Sequence, residues 1–186
     1  VNGALVIDPA QAAFNGLADG QSITLTVSYG VSDGTATTPN SATITVTGTN
    51  DGPVAKHFVS PFPAQAEDTV RTGLNFGTIP SELVTDPDST FDADDFTITG
   101  VSIAGGPTLT ATAAGITVAP DGNISIDTSA SAYQSLKQGE LVDVVVTFSV
   151  TDGFASDTGT VTFQVAGQND APVVGSVVAG QTVAED

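Results

Sequence analysis

Alternation of apolar and polar residues is the dominant pattern of this chain. Ile23, Leu25, Val27, Tyr29 and Val31 alternate with Thr24, Thr26, Ser28 and Gly30. A period of two predicts a strand with one buried face. Ser32-Asp33-Gly34 is a turn signal, and Ala42, Ile44 and Val46 against Thr43, Thr45 and Thr47 predict the next strand. The two are consecutive, so an antiparallel hairpin is expected. The figure returns late in the chain: Val142, Val144, Val146, Phe148 and Val150, a turn at Asp152-Gly153, then Val161, Phe163 and Val165. Between the two hairpins, residues 96–103 alternate. Short strands are predicted at 109–111, 116–118 and 124–126, with turns at Gly105-Gly106-Pro107 and Asp121-Gly122. Residues 10–17 and 129–136 each read as one or two helical turns. Pro61 and Pro63 exclude a regular central strand after the apolar run 54–59. Residues 74–84 leave helix and strand open. The resulting fold class is all-β, and the strand number suits an immunoglobulin-like antiparallel sandwich.

The recurrence is a true internal repeat. Ile7-Asp8 aligns with Ile126-Asp127, and the same offset of 119 carries Leu17 onto Leu136, Asp33-Gly34 onto Asp152-Gly153 and Asn50-Asp51 onto Asn169-Asp170. From Ile7 to Pro53, 16 of 47 positions are identical without a gap, where ordinary composition gives roughly three by chance. Ala66-Glu67-Asp68 reappears as Ala184-Glu185-Asp186, one residue closer. The chain therefore divides into the C-terminal part of one repeat (1–52), a complete repeat (53–171) and the first strand of a third (172–186). Each unit is long enough to own a core, so a tandem array of domains is expected rather than a solenoid. The chain opens and closes in mid-pattern, which reads as a piece of a longer array.

Composition narrows the function classes. There is no cysteine, so disulfides, cysteine zinc sites and thiol chemistry are excluded. A small β domain without disulfides needs another staple, and a metal is one candidate. The 21 acidic residues against 3 basic ones leave a formal net charge of −18. Such a surface repels phosphate backbones and anionic membranes, so neither a nucleic acid nor a membrane is an expected partner. No run is long and apolar enough for membrane insertion. The acids are clustered, however, and fall at strand ends: Asp19 or Glu140 before the long strand, Asp33 or Asp152 after it, Asp86 with Asp88 in a loop, and Asn-Asp in each linker. Consecutive strands run in opposite directions. The start of the long strand and the linker therefore share one end of a domain, and the Asp-Gly turn lies at the other. Calcium takes six to eight oxygen ligands, which two domains meeting at a linker can supply together.

Thr151-Asp152-Gly153, the strand to Val165 and Gly167-Gln168-Asn169-Asp170-Ala171-Pro172 resemble the end of a VCBS or cadherin-like repeat of large bacterial RTX-type surface adhesins. Tyr133-Gln134-Ser135-Leu136, Asp86-Pro87-Asp88 and Ala66-Glu67-Asp68 match other landmarks of such repeats. The resemblance implies tandem cadherin-like sandwiches outside the cell, with Ca2+ at their junctions. Carried over, the first junction uses Asp19, Asn50 and Asp51 from one side and Asp86, Asp88 and Asp152 from the other. The second uses Glu67, Asp68, Glu140, Asn169 and Asp170. The family's linker has an acid two residues before its Asn-Asp, whereas this chain has Gly48 and Gly167 there. That departure points to one or two ions per junction. Each motif also has a plain structural reading, as a turn, an acidic loop or a linker bend.

The function expected is a secreted or cell-surface, calcium-stiffened extender and adhesion module, with neighbouring repeats as its partners and no catalysis. Glycan or peptide binding by other domains of the adhesin is compatible with that role. The alternative is that this segment itself binds a sugar or peptide. Residues 1–52 pose a further question, because the strands that should cover Ile23 to Val31 are not among them. The missing half is cut away, is separated by an insertion, or comes from another molecule. Residues 172–186 are a spare first strand that could supply it by strand addition.

Overall fold

The computed structural model describes residues 5–75, 80–119 and 123–172, with the single residues 175 and 180. The Asp121-Gly122 turn and almost all of the third-repeat strand lie outside the described residues. The first hairpin is β1 (Ser22–Ser32) and β2 (Thr37–Thr47). Short strands β3 (Val54–Ala55), β4 (His57–Val59) and β5 (Gln65–Ala66) follow, then β6 (Val70–Asn75). A helical turn, α1 (Pro80–Leu83), leads into β7 (Val84–Thr85) and β8 (Phe96–Ile103). β9 (Ile116–Val118) and β10 (Asn123–Asp127) precede the second long hairpin, β11 (Leu141–Thr151) and β12 (Ser156–Ala166).

The structure is β-rich and mostly antiparallel. One sheet has the order β4-β12-β11-β8, with β5 also on the β12 edge; a second has the order β6-β10-β9. β4 and β5 are parallel to β12, with Phe58 opposite Val161 and Ala66 opposite Ala166. Both sheets contribute to one apolar core. Val144, Val146 and Phe148 of β11 are buried with Ile116 of β9 and Ile126 of β10. Phe91 and Phe96 extend an edge-on aromatic row onto Phe148. β-branched residues at alternate positions of β11 fill this face without losing much side-chain freedom. The Tyr133 hydroxyl donates to the Ala114 carbonyl at 2.9 Å, and burial pushes its pKa up to about 12.

The two long hairpins are superimposable in register. Ser22 pairs with Thr47 and Ser32 with Thr37; 119 residues on, Leu141 pairs with Ala166 and Thr151 with Ser156. Both turns close in the same way. Asp33 Oδ1 accepts the N–H groups of Thr35 and Ala36, and Asp152 Oδ1 those of Phe154 and Ala155. Gly34 and Gly153 follow at φ 92° and 90°, where a side chain would be strained.

Burial separates the copies. Phe148 and Val150 are fully buried, whereas their counterparts Tyr29 and Val31 are 45% and 59% exposed. The pattern predicts Tyr29 on a core face, and it lies on the equivalent face, but no second sheet covers that face among the described residues. Two other expectations change. Leu109 makes one bridge to Val101, and the chain then tightens into a 3-10 turn at Thr112–Ala114 instead of a strand at 109–111. Residues 10–17 and 129–136 form successive tight turns, such as Leu17 N–H to Phe14 and Leu136 N–H to Tyr133, without becoming helices.

Phe148→Ala should cost about 3–5 kcal/mol in chemical denaturation, the usual loss for a buried aromatic. Tyr29→Ala should cost less than about 1 kcal/mol, as an exposed site does. Equal costs would mean that the β1–β2 face is covered in solution.

Candidate junction site

The linker 48–53 leaves β2 against the turn that precedes β1. Gly20 N–H donates to the Gly48 carbonyl, and Gly48 N–H to that of Gln21. A Cβ at Gly48 would collide with the Leu17 and Ala18 carbonyl oxygens, and one at Gly167 with the Lys137 carbonyl and Leu136. These glycines are therefore required by backbone contact, which explains why no acid stands there.

Beyond Gly48 the linker meets the loop after β7 and the turn between β11 and β12. Asn50 Nδ2 donates to Asp152 Oδ2 at 3.0 Å, and Asp51 N–H donates to Asp88 Oδ2 at 3.1 Å. Asp86 Oδ1 accepts the N–H groups of Asp88 and Ser89, which bends the loop so that both carboxylates lie side by side. Asp86 Oδ2 is buried and has no hydrogen-bond partner among the described residues. Asp152 thus works with both oxygens, one inside its own turn and one across the linker. Asp157, which the sequence pattern did not single out, adds a further clasp by accepting the Ala55 N–H at 2.9 Å. Its only signal in the sequence is an acid one residue into a strand.

Charge follows from these contacts. Burial first, then the adjacent Asp88 carboxylate, hold Asp86 above the ordinary aspartate value. Asp88 is held below it by the neighbouring Asp86 carboxyl and by the Asp51 N–H. The N–H of Ala155, with Asn50 and Phe154, holds Asp152 low. Carboxylates this close repel when all are ionised.

Asp19 is exposed and forms no hydrogen bond to this group among the described residues. Of the second junction set, Glu67 is 1% exposed, with Oε2 accepting the Gln168 N–H at 2.8 Å and Oε1 unpaired among the described residues. Glu140 is exposed and accepts the Lys137 N–H, the bond that Gln21 makes with Ala18 in the other copy. A glutamine serves equally there, so this contact is structural. Asp68, at φ 58°, accepts from Gln134 Nε2. Asn169 and Asp170 are exposed, and Asn169 Nδ2 donates to the Asp170 carbonyl at 3.3 Å. Two residues before Glu67 lies a buried network that the sequence pattern did not single out: Gln65 Nε2 donates to the Thr69 and Ile126 carbonyls. Among the described residues, no group of three or more His, Asp or Glu side chains is arranged to hold a metal ion.

No family model and no curated protein matches the chain. It is similar to a solved endo-fucoidan hydrolase of glycoside hydrolase family 107 at 17% identity and a TM-score of 0.38, over 83% of this chain and 20% of that one. A likeness at that level carries no argument about fold or activity, and the chain spans one fifth of that structure's length. Among the described residues, no helix is long and apolar enough to cross a membrane.

Opposite shifts in neighbouring acids give a testable pH dependence. Asp86 is raised, so its contribution is present below the unfolded value of 3.8 and is lost as pH rises through the folded one. Asp88 and Asp152 are lowered, so theirs are present above 3.8 and are lost as pH falls through their folded values. Asp86→Asn mimics the protonated acid. In chelator at neutral pH it should be more stable than the wild type, and the gap should close as pH falls towards 3.8. Denaturant titrations at several pH values check this; a constant gap would show that Asp86 ionisation plays no part.

Proposed function

We propose that this chain is part of a tandem array of cadherin-like β-sandwiches that act as an extracellular extender and adhesion module, stiffened by Ca2+ at the junctions and without catalytic activity. The observation that carries the reading is the meeting of Asn50 and Asp51 with Asp88 and Asp152 across the linker, beside the unpaired oxygen of Asp86. Three buried side-chain oxygens lack partners among the described residues, those of Gln65, Glu67 and Asp86. Two of the three belong to carboxylates expected as ligands. An unpaired buried carboxylate is costly, and a hard cation is a partner that would remove the cost.

The donor set fits such an ion in kind. Its carboxylates offer oxygens, as calcium prefers, and the Asn50 amide, which turns Nδ2 to Asp152 here, would add its oxygen by rotating. Asp86 and Asp88 would hold the ion from the loop, Asp152 from the hairpin turn, and Asn50 with Asp51 from the linker. The ion would supply positive charge where these carboxylates repel one another. The chain's part is to fix the donors. The Asp152 turn is set by its own backbone hydrogen bonds, the Asp86 loop by its Asx contacts, and the linker by the close approach at Gly48. Domains joined this way lose freedom at the linker, which suits a module whose task is to span distance.

Calcium at about 100 times its dissociation constant should stabilise the fold by roughly 2.7 kcal/mol relative to chelator. Asp88→Asn and Asp152→Asn should each reduce that gain. Solution scattering should show a wider spread of shapes in chelator. A thermal melt that chelator leaves unchanged would overturn the proposal.

A further inference from the structure

Most of residues 48–56 are tied to the body of the protein by their own hydrogen bonds. Gly48 N–H donates to the Gln21 carbonyl at 2.7 Å, so the linker leaves the β1–β2 hairpin as part of its fold. Asn50 Nδ2, Asp51 N–H and Ala55 N–H then donate to Asp152, Asp88 and Asp157 at 3.0, 3.1 and 2.9 Å. Lys56 N–H donates to the Leu83 carbonyl at 2.7 Å, and Val54 and Ala55 pair with Thr85 and Val84.

The bonds come from two separate elements. Asp152 and Asp157 belong to the β11–β12 hairpin, whereas Leu83, Val84, Thr85 and Asp88 belong to the segment from α1 through β7. A strand gripped from two sides is fixed in direction as well as in position. The turns before β1 also approach that second element: a Cβ at Gly16 would lie 3.5 Å from the Pro87 carbonyl oxygen, between Asp86 and Asp88. Gly52 faces the β11–β12 turn, where a Cβ would lie 3.2 Å from that of Ala155.

Residue 50 has a particular part in this grip. A carboxylate only accepts, so the Asn50 amide must turn its Nδ2 to Asp152. The contact needs an N–H donor, and a hydrogen bond to an ionised acceptor is stronger than a neutral one. In a chain with a formal net charge of −18, another carboxylate at residue 50 would repel Asp152 instead of holding it.

We propose that these contacts form a latch of the protein's own groups, which directs the linker whether or not a cation is bound, and that the Asn50 amide is its switch. With Nδ2 on Asp152 the latch is closed by hydrogen bonds alone. Turned about its last bond, the same amide presents Oδ1, and a cation takes its place on Asp152; this second position rests on the Ca2+ reading above. The cation then tightens a junction that already has its direction. Asp157 stands outside the ligand set and holds Ala55 in both positions.

Amide hydrogen exchange of the whole chain in chelator reads the latch, with the β11 amides reporting that the fold is intact. The Asp51 and Ala55 amides should exchange at least about tenfold more slowly than in an unfolded chain. Exchange at the unfolded rate while β11 stays protected overturns the proposal. Asp157→Ala should lower the Ala55 protection about tenfold in chelator and in Ca2+ alike. Asn50→Asp removes the donor and adds an oxygen, so the Asp51 protection should fall about tenfold in chelator and return in Ca2+. Asn50→Leu should lose it in both. Protection that Asn50→Asp leaves unchanged in chelator overturns the role of the amide. A loss in chelator that Ca2+ does not restore upholds the latch and overturns the Ca2+ reading joined to it.

Discussion

The Asp152 carboxylate closes the turn between β11 and β12 with one oxygen and reaches the Asn50 amide with the other. The register of the β11–β12 hairpin and the placement of the linker therefore share a single side chain. The linker's path is fixed from behind as well, because Gly48 lies too close to the carbonyls of Leu17 and Ala18 for any side chain. Backbone contact at one end and hydrogen bonds to acids at the other leave the linker little freedom. The consequence is crowding of negative charge, with Asp86 and Asp88 side by side and Asp152 close enough to act on Asp88. The fold tolerates this by giving most of these oxygens N–H donors and leaving one on Asp86 without a partner.

The hairpin appears twice with one register and two energetic situations. In β11 the inward residues meet Ile116, Ile124 and Ile126 from the facing sheet. In β1 the same positions have no facing sheet among the described residues, and Tyr29 and Val31 are open to solvent. Hydrophobic burial is worth roughly 25 cal/mol per Å² of apolar surface removed from water, so identical pairing does not mean equal stability.

Local features were the ones legible in advance. Both long hairpins, β8 and β9 follow from alternation and turn residues. The meeting of Asn50 with Asp152 is one that the resemblance to cadherin-like repeats implies. β6 was not legible, because Val70–Asn75 has Arg, Thr and Gly in its middle and becomes a strand through pairing with β10. The parallel docking of β4 and β5 on β12 carries no local signal either. Glu140 and Glu67 show the same limit within the candidate site. Both are glutamates near a linker, yet one makes an exposed turn contact that glutamine makes equally well, and the other is enclosed with an unpaired oxygen.

By itself the sequence determined the repeat length, the β character, the hairpin registers and the gathering of acids at strand ends. Those properties depend on neighbours along the chain, on side-chain alternation and on the backbone preferences of Asp-Gly turns. Tertiary structure alone decided the parallel docking of β4 and β5 on β12, which of Glu67 and Glu140 is enclosed, and why glycine is required at 48 and 167. Each of these depends on how close segments far apart in the chain come to one another, a distance that no pattern of residue types records.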